Sequence, residues 1–177
     1  MDKIIELKAT GETITFTKSA QDTNGEFVES IVTLHGSGEG PPLHRHVLQT
    51  EYFEAIEGRL GLESGGEKLI LEPGESFTVP ANTLHKCYAV DNDDIRFKAI
   101  FTPALNIEYF LTEMFESCNR RNSKDPSPFD ACYILQQVKG EYYLGDVPNF
   151  VQKIIFPIIA KAGKLFGLVS VESNINK

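Results

Sequence analysis

Apolar and polar positions alternate in short runs through the first hundred residues. Ile14 and Phe16 are spaced by threonines, Phe27 to His35 is a β-rich run, and Ile95, Phe97, Ala99 and Phe101 alternate with Arg96 and Lys98 until Pro103. Asp22-Thr23-Asn24-Gly25 and Ser64-Gly65-Gly66 carry hairpin chemistry, the second between Arg59–Glu63 and Glu67–Leu71. Regular short strands with such punctuation predict a sandwich or barrel. After Pro103 the period becomes helical. A helix is expected over Leu105–Cys118, then a polar, proline-broken loop over 120–128, then a short helix over Ala131–Val138. Asp146 and Pro148 read as the start of a longer helix. Val151, Ile154, Ile155, Ile158, Ile159, Ala162, Leu165, Phe166 and Val169 would share its apolar face, opposite Lys153, Lys161 and Lys164, and Pro157 should kink it. Such a face is expected to cover the barrel or a dimer interface. The competing reading has it dock on a membrane surface or close over a pocket. Three lysines in so short a segment argue against a transmembrane span.

Three of the four histidines fall in two segments of this β region, with a carboxylate between them. His44 and His46, two apart in an extended strand, point to the same face and can aim at one point. Glu51 lies an odd number of residues beyond His46, so the chain must bend or bulge within Val47-Leu48-Gln49-Thr50 to bring it back. His85 arrives from another strand. Three nitrogens and one oxygen suit a single divalent Fe, Mn, Co, Ni, Cu or Zn and leave one or two positions open. The alternative is that the histidines are satisfied polar groups of a metal-free core.

The spacing Gly38-x5-His44-x-His46-x4-Glu51-x6-Gly58 resembles the first cupin motif at every defining position. Gly74-x5-Pro80-x-Asn82-x2-His85-x3-Ala89 is similar to the second, with Asn82 standing where glycine is usual and Ala89 where asparagine is usual. Asn is among the few residues that tolerate positive φ in a turn, so the first departure is mild. The resemblance covers roughly residues 25–102 and implies a mainly β, jelly-roll cupin barrel with its metal near the mouth. The expected organisation is a barrel domain over 1–102 and a helical C-terminal extension over 103–177, packed on the barrel or in a dimer interface. Similarity to quercetin-dioxygenase-like cupins implies a metal-dependent dioxygenase or oxidoreductase acting on a small apolar or aromatic molecule, with Glu51 doubling as a proton acceptor. A non-catalytic ligand-binding or sensing cupin stands beside that reading, and isomerase or lyase chemistry is a weaker third. Pairing is common among such barrels, so a homodimer is expected.

Parity puts Phe53 with Glu51, Cys87 with His85, and Phe97 with Phe101, a set that would make an apolar, aromatic pocket or simply fill a small barrel. Glu51 is the one acid this reading places there. The net charge of −8 resides in residues 1–102, with 17 acidic and 9 basic residues against 8 of each in 103–177. An acidic barrel disfavours nucleic acid, and no basic cluster favours a highly phosphorylated substrate. Cys87, Cys118 and Cys132 form an odd, unpatterned set, and Met1-Asp2-Lys3-Ile4-Ile5-Glu6 is too charged to open a signal peptide. A reducing, cytoplasmic location is expected.

Overall fold

The computed structural model describes residues 3–36, 40–91 and 93–171. Gly38, the first position of the first motif, lies outside the described residues. Among the described residues, eleven strands form two antiparallel sheets that face one another as the walls of a jelly roll. One sheet has the order β1-β2-β3-β10-β5-β8, from Lys3–Leu7, Glu12–Lys18, Val28–Leu34, Ile95–Thr102, Thr50–Glu57 and Ser76–Val79. The other has the order β11-β4-β9-β6-β7, from Tyr142–Leu144, His44–His46, His85–Ala89, Leu60–Ser64 and Glu67–Leu71. The edges stay open, so the barrel is two facing sheets and not a closed cylinder.

The expected alternation is what builds the walls. β3 reads buried and half-buried in turn along its whole length, and β10 likewise sends Ile95, Phe97, Ala99 and Phe101 inward. Withdrawing each such large apolar side chain from water contributes roughly 1.5–3 kcal/mol. Between β6 and β7, Ser64 pairs with Glu67, leaving Gly65 and Gly66 as a two-residue loop with φ of 61° and 89°. Positive φ at both loop residues is the geometry that matches the twist of a hairpin. Asn82 has φ of 63°, the conformation its amide side chain makes tolerable, and its N–H donates to His46 O at 2.6 Å. That bond ties the second histidine segment to the first.

Helices follow the sheets: α1 Ile107–Arg120, α2 Pro128–Gln137 and α3 Phe156–Leu165. α1 lies along the barrel. Asn119, near its C-terminus, donates from Nδ2 to Glu6 O at 2.7 Å and accepts from Lys8 N–H at 3.0 Å, which pins it to β1. At its other end Asn106 donates to Glu141 from both its backbone N–H and its Nδ2, at 3.1 and 2.6 Å. The C-terminal region is not purely helical, because β11 pairs with β4 and sets Tyr142 beside His46 and Leu144 beside His44.

The long C-terminal helix departs from expectation. Val151–Ile155 is a π-helical turn, placed just before Pro157, which has no N–H to donate and whose ring crowds the carbonyl four residues back. One extra residue in that turn rotates the downstream helix by about 100° relative to a continuous helix of 3.6 residues per turn. α3 therefore approaches α2 through small residues. Ala160 and Gly163 are its buried positions, and a Cβ on Gly163 would stand 2.9 Å from Phe129 Cδ1. The aliphatic face points away: Ile158 is 58% exposed, Leu165 80% and Phe166 72%. Gln152 is buried instead, its amide bonding Leu144 and Val147. No helix among the described residues is long and apolar enough to cross a membrane.

Candidate metal centre

His44, His46 and His85 come from one sheet and Glu51 from the other. The link is residues 47–49, which leave β4, run irregularly and enter β5. The bend that parity demands is thus a change of sheet. His44 pairs directly with His85 across β4 and β9, and Glu51 faces them from β5. All four residues are buried, and one ligand atom from each lies within 4.8 Å of the others.

Hydrogen bonding at the outer nitrogens aims the rings. His44 Nδ1 lies 2.8 Å from Pro42 O, His85 Nδ1 2.9 Å from Thr83 O, and His46 Nδ1 3.0 Å from Gln49 Oε1. Each partner is an oxygen that can only accept, so each Nδ1 donates. Nε2 of all three therefore turns inward, the arrangement that orients histidine ligands of metal ions. Gln49 is fixed in turn by donating from Nε2 to Pro103 O and Ala104 O, both at 2.9 Å. Glu51 Oε2 stands 2.8 Å from His85 Nε2 and 3.4 Å from His46 Nε2.

The electrostatics call for a cation. Burial alone would raise the Glu51 carboxyl, but the imidazoles of His46 and His85 beside it overcome this and hold it well below the usual carboxylate range. Burial pushes His85 down, yet the bond to Glu51 wins and lifts it above the ordinary histidine range. His44 is pushed down to about 3, by burial first and then by its two histidine neighbours, so it stays neutral. His46 Nε2 is buried with no hydrogen-bond partner among the described residues. Buried polar atoms without partners are costly and uncommon, and this one points into a ring of three other donors. The residues fit one divalent ion held by three imidazoles and a carboxylate.

A cavity of about 360 Å³ adjoins the cluster. Phe53, Cys87, Phe97 and Phe101 all line it and are all buried, as does the cluster's own Glu51. Burial, then the charge of Glu51, pushes the Cys87 thiol well up, so it is an uncharged wall residue. α1 forms the facing side through Phe110, Leu111, Met114 and Phe115. Tyr142 bridges the two: its ring stacks on His44 at 4.9 Å and lies 4.3 Å from that of Phe110. His35 is apart from the site, paired with Asp94 at 3.1 Å on the surface. Arg45 also faces away, over the Tyr143 ring.

Three residues escape the sequence reading. Gln49 sits inside the predicted bend, but nothing local tells that its amide would hold His46. Tyr142 belongs to a short β-prone run whose partner strand lies nearly a hundred residues earlier. Glu12 lines the cavity too, which corrects the expectation that Glu51 is the one acid there. Its parity with Ile14 and Phe16 is the signal that could have found it.

Residues 30–101 match the Cupin_2 family, described as a cupin domain. A quercetin 2,3-dioxygenase of Bacillus subtilis is 31% identical over 93 residues, which is 52% of this chain and 27% of that protein. A probable oxidoreductase of Hypocrea virens is 36% identical over 79 residues, 43% of this chain and 36% of the other. The chain thus spans about a third or less of the length of these relatives. Among solved structures, an RmlC-like cupin from Shewanella frigidimarina is 19% identical with a TM-score of 0.48, covering 59% of this chain and 86% of that one. With the histidine and glutamate segments both inside the matched residues, in two facing antiparallel sheets, this chain carries a cupin domain over residues 30–101.

Proposed function

We propose that the protein is a metal-dependent cupin oxidoreductase, of dioxygenase type, acting on a small apolar or aromatic molecule. The observation that carries the reading is the partnerless, buried Nε2 of His46 among donors whose outer nitrogens are all held. His44, His46, Glu51 and His85 would hold one Fe, Mn, Co, Ni, Cu or Zn ion, which when bound supplies Lewis acidity and open coordination positions. The apolar, aromatic wall of the cavity binds the body of the substrate and excludes water. Glu51, beside the space in front of the histidines, would accept a proton from a substrate hydroxyl. The relatives named for quercetin dioxygenation and oxidoreduction agree with this reaction class. Three buried free thiols suit a reducing, cytoplasmic compartment.

Elemental analysis of protein purified without added metal, followed by oxygen uptake with phenolic and diketone compounds, tests the reading. About one transition-metal ion per chain and oxygen consumption with at least one compound class are expected. Metal without oxygen consumption, but with ligand binding, would favour the non-catalytic binding cupin. A metal-free protein would remove the basis for both.

The exposed face of α3 is the surface on which we place a second copy of this chain. Lys153, Lys161 and Lys164 adjoin it, while the barrel carries all of the net negative charge, so a paired copy would meet complementary charge. Light scattering at micromolar concentration is expected to give a dimer, and Ile158→Glu with Phe166→Glu a monomer. A native monomer that sediments with anionic vesicles would assign the face to a membrane instead.

A further inference from the structure

Glu12 opens β2 on the face that sends Ile14 and Phe16 into the core, and its side chain lines the cavity. An acid there loses water, and burial pushes its carboxyl up to about 7. Among the described residues none donates a hydrogen bond to that carboxylate, and burial is what moves it, with Lys124 also lining the cavity. Nothing in the packing of the fold uses the group.

Its place in the cavity is set by register. Thr13 pairs with Thr33, which puts Glu12 beside Leu34, and Leu34 pairs with Ile95 of β10. Glu51 pairs with Phe101 of that same strand, at its other end. α1 runs past both places. Phe110 meets Tyr142, which stacks on His44, while Cys118 lines the cavity next to Asn119, whose bonds to Glu6 O and Lys8 N–H hold it beside β1, where Leu7 pairs with Glu12. Phe110 and Cys118 are eight positions apart, on the order of 12 Å of helix at 1.5 Å per residue. Cys87, on the strand that begins at His85, lines the cavity as well. The cavity is therefore elongated, with the four-residue cluster at one end, Glu12 at the other and apolar walls between.

We propose that Glu12 is the far anchor of the ligand: its carboxylate accepts a hydrogen bond from a hydroxyl group at one end of a rod-shaped aromatic molecule whose other end presents oxygen atoms to the cluster. Only the near end of that description rests on the reading of the cluster as a metal centre. A hydroxyl donor fits because Glu12 supplies an acceptor to which no described residue donates, and because a donor on the ligand repays the desolvation of the acid where an apolar end would not. Ligands lacking that hydroxyl leave the carboxylate unpaired, so Glu12 acts as a specificity-determining residue.

Three probes separate the two ends: 4-phenylcatechol, its analogue with a para-hydroxyl on the far ring, and para-hydroxybiphenyl, which has no catechol. Binding is measured by calorimetry to metal-loaded and chelator-stripped protein, for the native chain, Glu12→Gln and Glu12→Leu. The far hydroxyl is expected to tighten binding to the native chain by about tenfold, the range for a hydrogen bond to a charged group. In Glu12→Leu that gain should shrink to within about twofold. An equal gain in Glu12→Leu, or no binding of any probe, overturns the proposal. If instead the catechol gives no advantage to loaded over stripped protein while the far hydroxyl still depends on Glu12, the metal reading fails and the anchor stands. Thermal unfolding gives a readout without ligand. A carboxyl whose folded value is raised loses stability as pH climbs from the unfolded value of 4.5 through about 7. Glu12→Gln should therefore unfold a few degrees above the native chain at pH 8 and converge with it near pH 4.5, roughly the scale expected for a domain of this size. A native chain as stable as the variant at pH 8 would show the carboxylate to be solvated and also sink the proposal.

Discussion

Replacing His46 with alanine is expected to lower metal content at least about a hundredfold in affinity while leaving the β-sheet signal in circular dichroism intact. Changes to groups that merely orient a ligand already cost 10–100-fold, so loss of a ligand itself must reach the upper end or exceed it. The fold should tolerate the change because His46 spends no hydrogen bond on the core beyond Gln49, and Gln49 keeps its two bonds to Pro103 O and Ala104 O. Gln49→Leu makes the finer test. It leaves all four ligand atoms in place but frees the His46 ring, and the expected loss is about tenfold. Equilibrium dialysis against a chelator series measures both. Full occupancy in His46→Ala would mean that the four residues are a polar core and nothing more.

Asp130→Ala is expected to be the most damaging single change outside the barrel, at about 3 kcal/mol, which corresponds to roughly 6–12 °C in Tm. Asp130 is buried in the first turn of α2 and accepts from Ser117 Oγ and from Ser170 N–H, both at 2.8 Å. Arg120 adds a longer contact at 3.4 Å. One carboxylate thus joins α1, α2 and the segment after α3. Removing it leaves the buried Ser117 hydroxyl without an acceptor, releases the Ser170 N–H and leaves Arg120 without its partner. Asp130→Asn keeps an acceptor and should recover about half of the loss. Calorimetric unfolding decides, and a shift of under about 2 °C would show that the three segments are held together by apolar packing alone.

The β framework and the candidate ligand set are readable in the sequence for the same reason: both depend on local spacing. The two-residue hairpin at Gly65-Gly66, the alternation of β10 and the pair His44 and His46 need only the period of an extended strand. Glu51 is legible through its odd offset, which requires a turn but does not say that the chain changes sheets there. Local spacing fails where the outcome depends on distant partners. The pairing of β11 with β4 gives no local signal, so Tyr142 is invisible to it. In the C-terminal helix Pro157 reads as a bend, whereas the π turn rotates the helix, and Gly163 offers α2 a closer approach than the isoleucines could. Glu12 is hidden by its own chemistry, since an acid on an alternating strand ordinarily marks the solvent side.

The cavity draws on three stretches of chain. The matched cupin segment supplies the cluster and the sheet behind it, whereas Glu12, Leu7 and Ile14 precede that segment and the α1 wall with Tyr142 lies beyond it. On the proposed reading, reactivity and selectivity are thus written in separate parts of the gene product. Substitutions at Leu7, Glu12, Ile14, Leu111 and Met114 can lengthen, narrow or repolarise the cavity without touching the four residues of the cluster. A lineage of such chains could explore new substrates by drift in its flanks alone, with the chemistry held constant. A library randomised only at Leu7, Glu12, Ile14, Leu111 and Met114 would be the place to look for it.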